Sequence, residues 1–141
     1  MILKFKKLTP EAILPSYAHS GDAGLDMYAS ETMVINPGQP GKVKTGVAVE
    51  IPEGYVGLIW DKSGMAFNNR LKTLSGVIDS GYRGEALLSL INLGDKPVTI
   101  EKGQKVSQML IQKIETVEVV EAEELSDTSR GEGGFGSTGR K

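Results

Sequence analysis

An aspartate inside a glycine-bracketed turn and an arginine inside a glycine-rich end are the groups in this chain best suited to chemistry. The aspartate is Asp79, in the run Gly76-Val77-Ile78-Asp79-Ser80-Gly81-Tyr82-Arg83-Gly84-Glu85. The run reads as a hairpin, with Val77 and Ile78 in one strand, a turn at Ser80-Gly81 and a second strand behind it. An acid at a strand end is held rigidly, as a group that orients a water molecule must be. The plainer reading is a turn aspartate that caps its own backbone, common before Ser-Gly. The arginine opens the segment Arg130-Gly-Glu-Gly-Gly-Phe135-Gly-Ser-Thr138-Gly-Arg-Lys141. Its glycines leave amide N–H groups free to approach an anion, and arginine brings a planar cation suited to phosphate oxygens. Phe135 offers a face on which a flat base could stack. The alternative is a Gly/Ser-rich disordered end with no ligand.

Three other segments carry polar groups in suggestive places. Asp26 lies between apolar neighbours in Asp22-Ala-Gly-Leu-Asp26-Met-Tyr28, where a strand could start. Lys62, Ser63 and Gly64 follow a strand-like run and open the only plausible helical turn. Backbone N–H groups there, with a hydroxyl and an ammonium, could cradle a phosphate; an ordinary Ser N-cap is the plainer reading. Gln108 falls inside an apolar strand, where its amide must bond to ligand or backbone. The single histidine, His19, sits in a polar loop and reads as a solvated bystander. Two apparent fingerprints fail. The glycines at 131, 133 and 136 match a dinucleotide pattern but lack the following helix, and Ser137 stands where a P-loop needs lysine.

The elements that must hold these groups are mostly strands and turns. The 18 glycines and 6 prolines divide the chain into short β-branched runs: Val43–Ile51, Tyr55–Trp60, Ala86–Ile91 (apolar enough to be buried on both faces), Val98–Ile100, Val106–Ile114 and Val117–Val120. Pro52-Glu53-Gly54 marks a turn. One or two helical turns around Met65–Arg70 are the only helical candidate. Many short strands imply an all-β sandwich or barrel. The expected organisation is a core over residues 1–120, a linker over 121–129 and a glycine-rich segment over 130–141.

Composition narrows the classes further. With 141 residues the chain can form one domain that buries roughly 70% of its unfolded surface. A net charge of −2 with no dominant basic face argues against a general nucleic-acid binder. The lack of cysteine excludes disulfides and Cys-based zinc sites and is compatible with a reducing cytoplasm. Charges interrupt the short apolar run at residues 1–7, which reads as neither signal peptide nor membrane span.

Taken in order, five segments resemble the motifs of the trimeric deoxyuridine triphosphatases (dUTPases). They are Ala23–Asp26, Lys62–Gly64, Gly76–Gly84 around Asp79 and Tyr82, Gly103–Gln108, and Arg130–Gly139. The resemblance implies a distorted jelly-roll β domain with at most one short helix, assembling as a homotrimer whose sites are shared between subunits. It implies hydrolysis of dUTP to dUMP and pyrophosphate with Mg²⁺ on the triphosphate, held mainly by phosphates and water. On the matching positions, Asp79 would orient the water that attacks the α-phosphorus. Backbone at Gly76, Val77 and Ile78 would read the uracil edge, and Tyr82 would pack on the sugar and exclude a 2′-hydroxyl. Lys62, Ser63, Gly64 and Gln108 would bind phosphates, with Arg130 on the γ-phosphate. Phe135 would stack on uracil as the tail closes, together with Gly136 and Ser137. Asp26 and Arg83 would support the site.

Two departures bear on these roles. The second motif normally begins Pro-Arg, whereas Asp61-Lys62 stand here, giving up the bidentate fork and adding a negative charge. Thr73 occupies a position where many bacterial members carry Asn, so the resemblance implies that substrate binding at Thr73 would come from backbone at the uracil edge and not from the side chain. Two rival readings share the scaffold. A dCTP deaminase needs a glutamate where this chain has Ser89. A non-catalytic nucleotide-sensing or protein-binding module would be expected to have lost Asp79, Tyr82 or the tail, and all are present.

Overall fold

The computed structural model describes residues 1–74 and 76–134. In chain order its strands are β1 (Lys4–Lys7), β2 (Leu25–Tyr28), β3 (Met33–Ile35), β4 (Pro40–Val43), β5 (Val47–Glu50) and β6 (Tyr55–Asp61). The short helix α1 (Ser63–Asn69) follows, then β7 (Leu71–Thr73), β8 (Val77–Ile78), β9 (Leu88–Asn92), β10 (Val98–Ile100) and β11 (Lys105–Lys113). The result is the expected all-β, distorted jelly-roll domain with one short helix. Every strand pairing is antiparallel. The main sheet runs β2-β11-β6-β8, a second runs β4-β9-β7, and two pairs, β1-β5 and β10-β3, complete the walls.

Alternation along the strands explains how they pack. In β9, Leu88, Leu90 and Asn92 are buried while Ser89 and Ile91 are partly covered. In β10, Val98 and Ile100 point inward around exposed Thr99. These side chains join Met27, Ile35, Val43, Val49, Val106 and Met109 in one core. Burial of each such aliphatic group stabilises the fold by about 1.5–3 kcal/mol. The buried amide of Asn92 is satisfied: Nδ2 donates to Ile35 O (2.9 Å) and Lys96 O (2.7 Å), and Oδ1 accepts from Gly94 N (2.8 Å).

Several strand expectations are corrected. The Val43–Ile51 run splits, because Gly46 takes φ 68° and turns the chain between β4 and β5. The Val117–Val120 run forms no strand, and its valines are exposed, lacking a neighbour to pair with. β11 is accordingly the last strand, closed by Ile114 N donating to Gly54 O (2.9 Å). The hairpin at Asp79 does not form as a ladder. β8 pairs with Gly57 and Leu58 of β6, whereas β9 pairs with β4 and β7. Gly76 makes that crossing possible. Its carbonyl accepts from Ile59 N (2.7 Å), and a Cβ at this position would stand 2.7 Å from Ile59 O.

Candidate active site

Apart from the glycine-rich end, the candidate site residues gather in two clusters. The first is the turn that follows β8. Tyr82 N donates to Asp79 O (3.1 Å), and the Arg83 guanidinium donates to Ser80 O (2.5 Å) and Tyr82 O (2.9 Å). Arg83 therefore braces the turn from within. Beyond it, Glu85 Oε1 accepts from Gly46 N (2.7 Å) and Thr45 N (3.1 Å), and Ala86 N donates to Val47 O (2.9 Å). The turn is fixed at both ends, by β6 on one side and by β5 on the other. Tyr82 folds back so that its hydroxyl donates to Glu85 O (3.0 Å). Its ring then covers Gly84, where any side chain would collide with the phenol.

This turn walls a cavity of about 300 Å³, with Gly76, Val77, Ile78, Asp79, Tyr82 and Ser89 in its lining. The Asp79 carboxylate is exposed and takes no hydrogen bond among the described residues. It secures the turn through its main-chain oxygen alone, so the self-capping reading does not hold. Glu85 also borders the cavity, but its carboxylate is taken by the two backbone N–H groups.

The second cluster straddles β2, β11 and the end of β6. Asp26 lies beside Gln108, and Gln108 beside Trp60, in the strand register. Asp26 is 3% exposed, and Lys62 Nζ donates to its Oδ1 at 2.7 Å. Lys105 Nζ stands 2.7 Å from Oδ2, an ion-pair contact without hydrogen-bond alignment. Burial by itself would raise the Asp26 carboxyl; Lys105 and Lys62 together outweigh it and hold the group below the ordinary aspartate range. Gln108 Nε2 donates to Asp61 O (2.9 Å), while its Oε1 sits where a Cβ on Gly24 would be. Gln108 thus bonds to backbone, one of the two outcomes left open by its position.

Ser63 and Gly64 are exposed in the first turn of α1. Lys62, not Ser63, is the N-cap residue, extended at φ −87°, and no side chain caps the helix. The ordinary Ser N-cap is therefore absent. Asp61 does not present an uncompensated charge. Its Oδ2 accepts from Lys72 Nζ (2.6 Å) and its Oδ1 from Thr73 N (2.7 Å). These bonds outweigh the desolvation that would raise it and hold its carboxyl low. Thr73 gives its N–H to Asp61, and its Oγ1 is buried without a partner.

No residue of the second cluster lines the cavity beside Asp79. Arg130 lies on the exposed end, its Nε donating to Gly133 O (2.7 Å), remote in sequence from both clusters. Phe135, Gly136 and Ser137 lie outside the described residues. His19 only shapes its loop, donating its backbone N–H to Asp22 Oδ2 (2.8 Å). Sequence reasoning missed Lys105, Lys72 and Glu85. Each acts through a partner distant in sequence, and no local pattern announces such pairs.

The dUTPase family model matches residues 10–139 of the chain. The chain belongs to the dUTPase family. It is 50% identical over 144 residues to the deoxyuridine 5′-triphosphate nucleotidohydrolase of Hydrogenobaculum sp. (strain Y04AAS1), covering all of both chains. Identity to the enzyme of the same name from Clostridium tetani (strain Massachusetts / E88) is 46%, over 98% of this chain and 97% of that one. In three dimensions it resembles the Staphylococcus bacteriophage 80alpha dUTPase with dUPNHPP, at a TM-score of 0.93 and 34% identity over 99% of each chain. A D95N dUTPase from phage phi11 of S. aureus, described with a structural Mg(II) ion, aligns at a TM-score of 0.83 and 31% identity, over 88% of this chain and 98% of that one.

Proposed function

We propose that this dUTPase-family protein hydrolyses dUTP to dUMP and pyrophosphate, with Asp79 orienting the attacking water. The observation that carries the assignment is the Asp79 carboxylate, held on a turn braced at both ends yet without a hydrogen-bond partner among the described residues, beside a cavity. A carboxylate free to accept from water can align its lone pair on the α-phosphorus and take up the proton it loses. Backbone at Gly76–Ile78 lines the cavity and would read the edge of a flat base there. Tyr82, perched over Gly84, offers a flat wall to the sugar, so a 2′-hydroxyl would meet the ring.

Phosphates fit the second cluster. Lys62, Ser63, Gly64 and Gln108 converge there, and Asp26 holds Lys62 in place. No residue of the lysine cluster lines the cavity beside Asp79, which favours a shared site: the cavity of one subunit, the lysine cluster of a second and the Arg130 segment of a third. Exposed Trp60, Leu74 and Val77 beside β8 give apolar surface for such a homotrimer. Phe135, Gly136 and Ser137 would close over the base.

Among the described residues no group of three or more His, Asp or Glu side chains could hold a metal ion. In this reading a Mg²⁺ ion takes its oxygens mainly from the triphosphate and water. When bound, it withdraws charge from the phosphate oxygens. Among the described residues no helix is long and apolar enough to cross a membrane; a cytoplasmic setting is part of the same reading.

The test is pyrophosphate release from dUTP, dCTP, dTTP and UTP with Mg²⁺, for wild type and Asp79→Asn. Release from dUTP alone is expected, with kcat lowered by roughly 100-fold or more in the variant. Tight dUTP binding without pyrophosphate release would instead indicate a sensing module, and ammonia release from dCTP a deaminase.

A further inference from the structure

The departure at Asp61 leads to a role for that residue. The chain leaves β6 at Asp61, makes the excursion Lys62–Arg70 through α1, and returns as β7. Asp61 grips the returning strand at two points, accepting from Thr73 N (2.7 Å) and Lys72 Nζ (2.6 Å). Its main-chain oxygen accepts from Gln108 Nε2 (2.9 Å) on β11. One residue therefore closes the base of the loop carrying Lys62, Ser63 and Gly64 and also fixes the amide of Gln108.

Its side chain is 22% exposed, so water competes only in part for these bonds, while Lys72 at 52% is the exposed partner. The helix has no side-chain cap of its own. Its entry is consequently defined by what happens at Asp61, immediately before the N-cap Lys62. A carboxylate with both oxygens bonded across to β7 restrains that entry as a rigid residue would, by bonding instead of by ring geometry.

We propose that Asp61 is a positioning residue for the triphosphate: by stapling β6 to β7 it sets where Lys62, Ser63, Gly64 and Gln108 stand, without touching substrate itself. The proposal rests on the dUTPase reading above. Its effect should grow with the number of phosphates and leave the chemistry at Asp79 largely intact.

Steady-state dUTP hydrolysis by wild type, Asp61→Ala, Asp61→Asn and Lys72→Met tests it, with dUMP as competitive inhibitor. Asp61→Ala should raise KM for dUTP roughly tenfold while kcat stays within about threefold, since uniform binding is what is lost. The dUMP inhibition constant should be unchanged. Asp61→Asn keeps an acceptor for Thr73 N and should fall between Ala and wild type; Lys72→Met should show a smaller rise. If Asp61→Ala fails to fold, the other two variants carry the test. Unchanged KM across the foldable variants, or kcat and dUMP affinity falling in proportion to the rise in KM, would overturn the role of Asp61. Wild type that releases no pyrophosphate would instead overturn the assigned reaction and, with it, this proposal.

Discussion

Tyr82 and Gly84 constrain one another. The phenol can donate to Glu85 O only because nothing projects from residue 84. Ala at 84 would push the ring off its perch while leaving the core untouched. In Gly84→Ala the preference for dUTP over UTP should fall by roughly tenfold or more, because a displaced wall admits a 2′-hydroxyl. Relative kcat/KM values for the two nucleotides, with melting temperature as a control for folding, check this. An unchanged preference would mean that Tyr82 does not set the sugar selectivity. Lys62 stands where the second motif normally carries arginine. Its ammonium is a point charge, committed to Asp26 by a single contact, where a guanidinium could hold carboxylate and phosphate together.

At the scale of elements, two buried or half-buried acids tie the strands together. Asp26 on β2 engages Lys62 after β6 and Lys105 on β11, and Asp61 on β6 engages β7. Both carboxyls are held below their ordinary value of 3.8, so the unfolded chain binds more protons in the range just beneath it. Stability from these groups is therefore complete above that value and is lost as pH falls through the lowered folded ones. Melting temperature should drop as pH falls from about 4 to 2, and less steeply in Asp61→Asn; thermal scans across that range check it. An equal slope in wild type and variant would remove Asp61 from the account. Core strands were legible where short apolar, β-branched runs stand between turn residues, as in β9 and β10, and the helix at Ser63 was legible from one break in the β pattern. Edge strands were not. β1, β3 and β7 are short, and β1 is rich in lysine, so their strand character comes from the partner they meet. The β8 crossing was hidden for the same reason: Val77 and Ile78 read as strand, but their pairing with β6 depends on the close approach at Gly76. Site residues with unusual neighbours in sequence, such as Asp79, Tyr82 and Arg130, stood out at once. Lys105, Lys72 and Glu85 did not, because their meaning lies in partners far along the chain.

At the scale of the whole molecule, the body ends with β11 and the bond from Ile114 to Gly54. Beyond it the described chain is exposed, with Val117, Val119, Val120 and Leu125 largely in solvent. Removal of residues 116–141 should therefore leave melting temperature within a few degrees while lowering dUTP turnover by about 100-fold or more, through loss of Arg130 and the closing segment. Calorimetry and pyrophosphate release on the truncated chain separate the two effects. A large fall in melting temperature would mean that the tail belongs to the fold.

The stretch between Ile114 and Arg130 has a consequence for how tightly that segment needs to bind. Fifteen or so residues at about 3.3 Å each can span roughly 50 Å, several times the ~13 Å radius of gyration of a body this size. Such a tether delivers its end to a neighbouring site at an effective concentration in the millimolar range. On the proposed reading, a closing segment supplied that way would need hardly any affinity of its own, and a glycine-rich sequence would suffice where the ligand's phosphates and base add the rest of the hold.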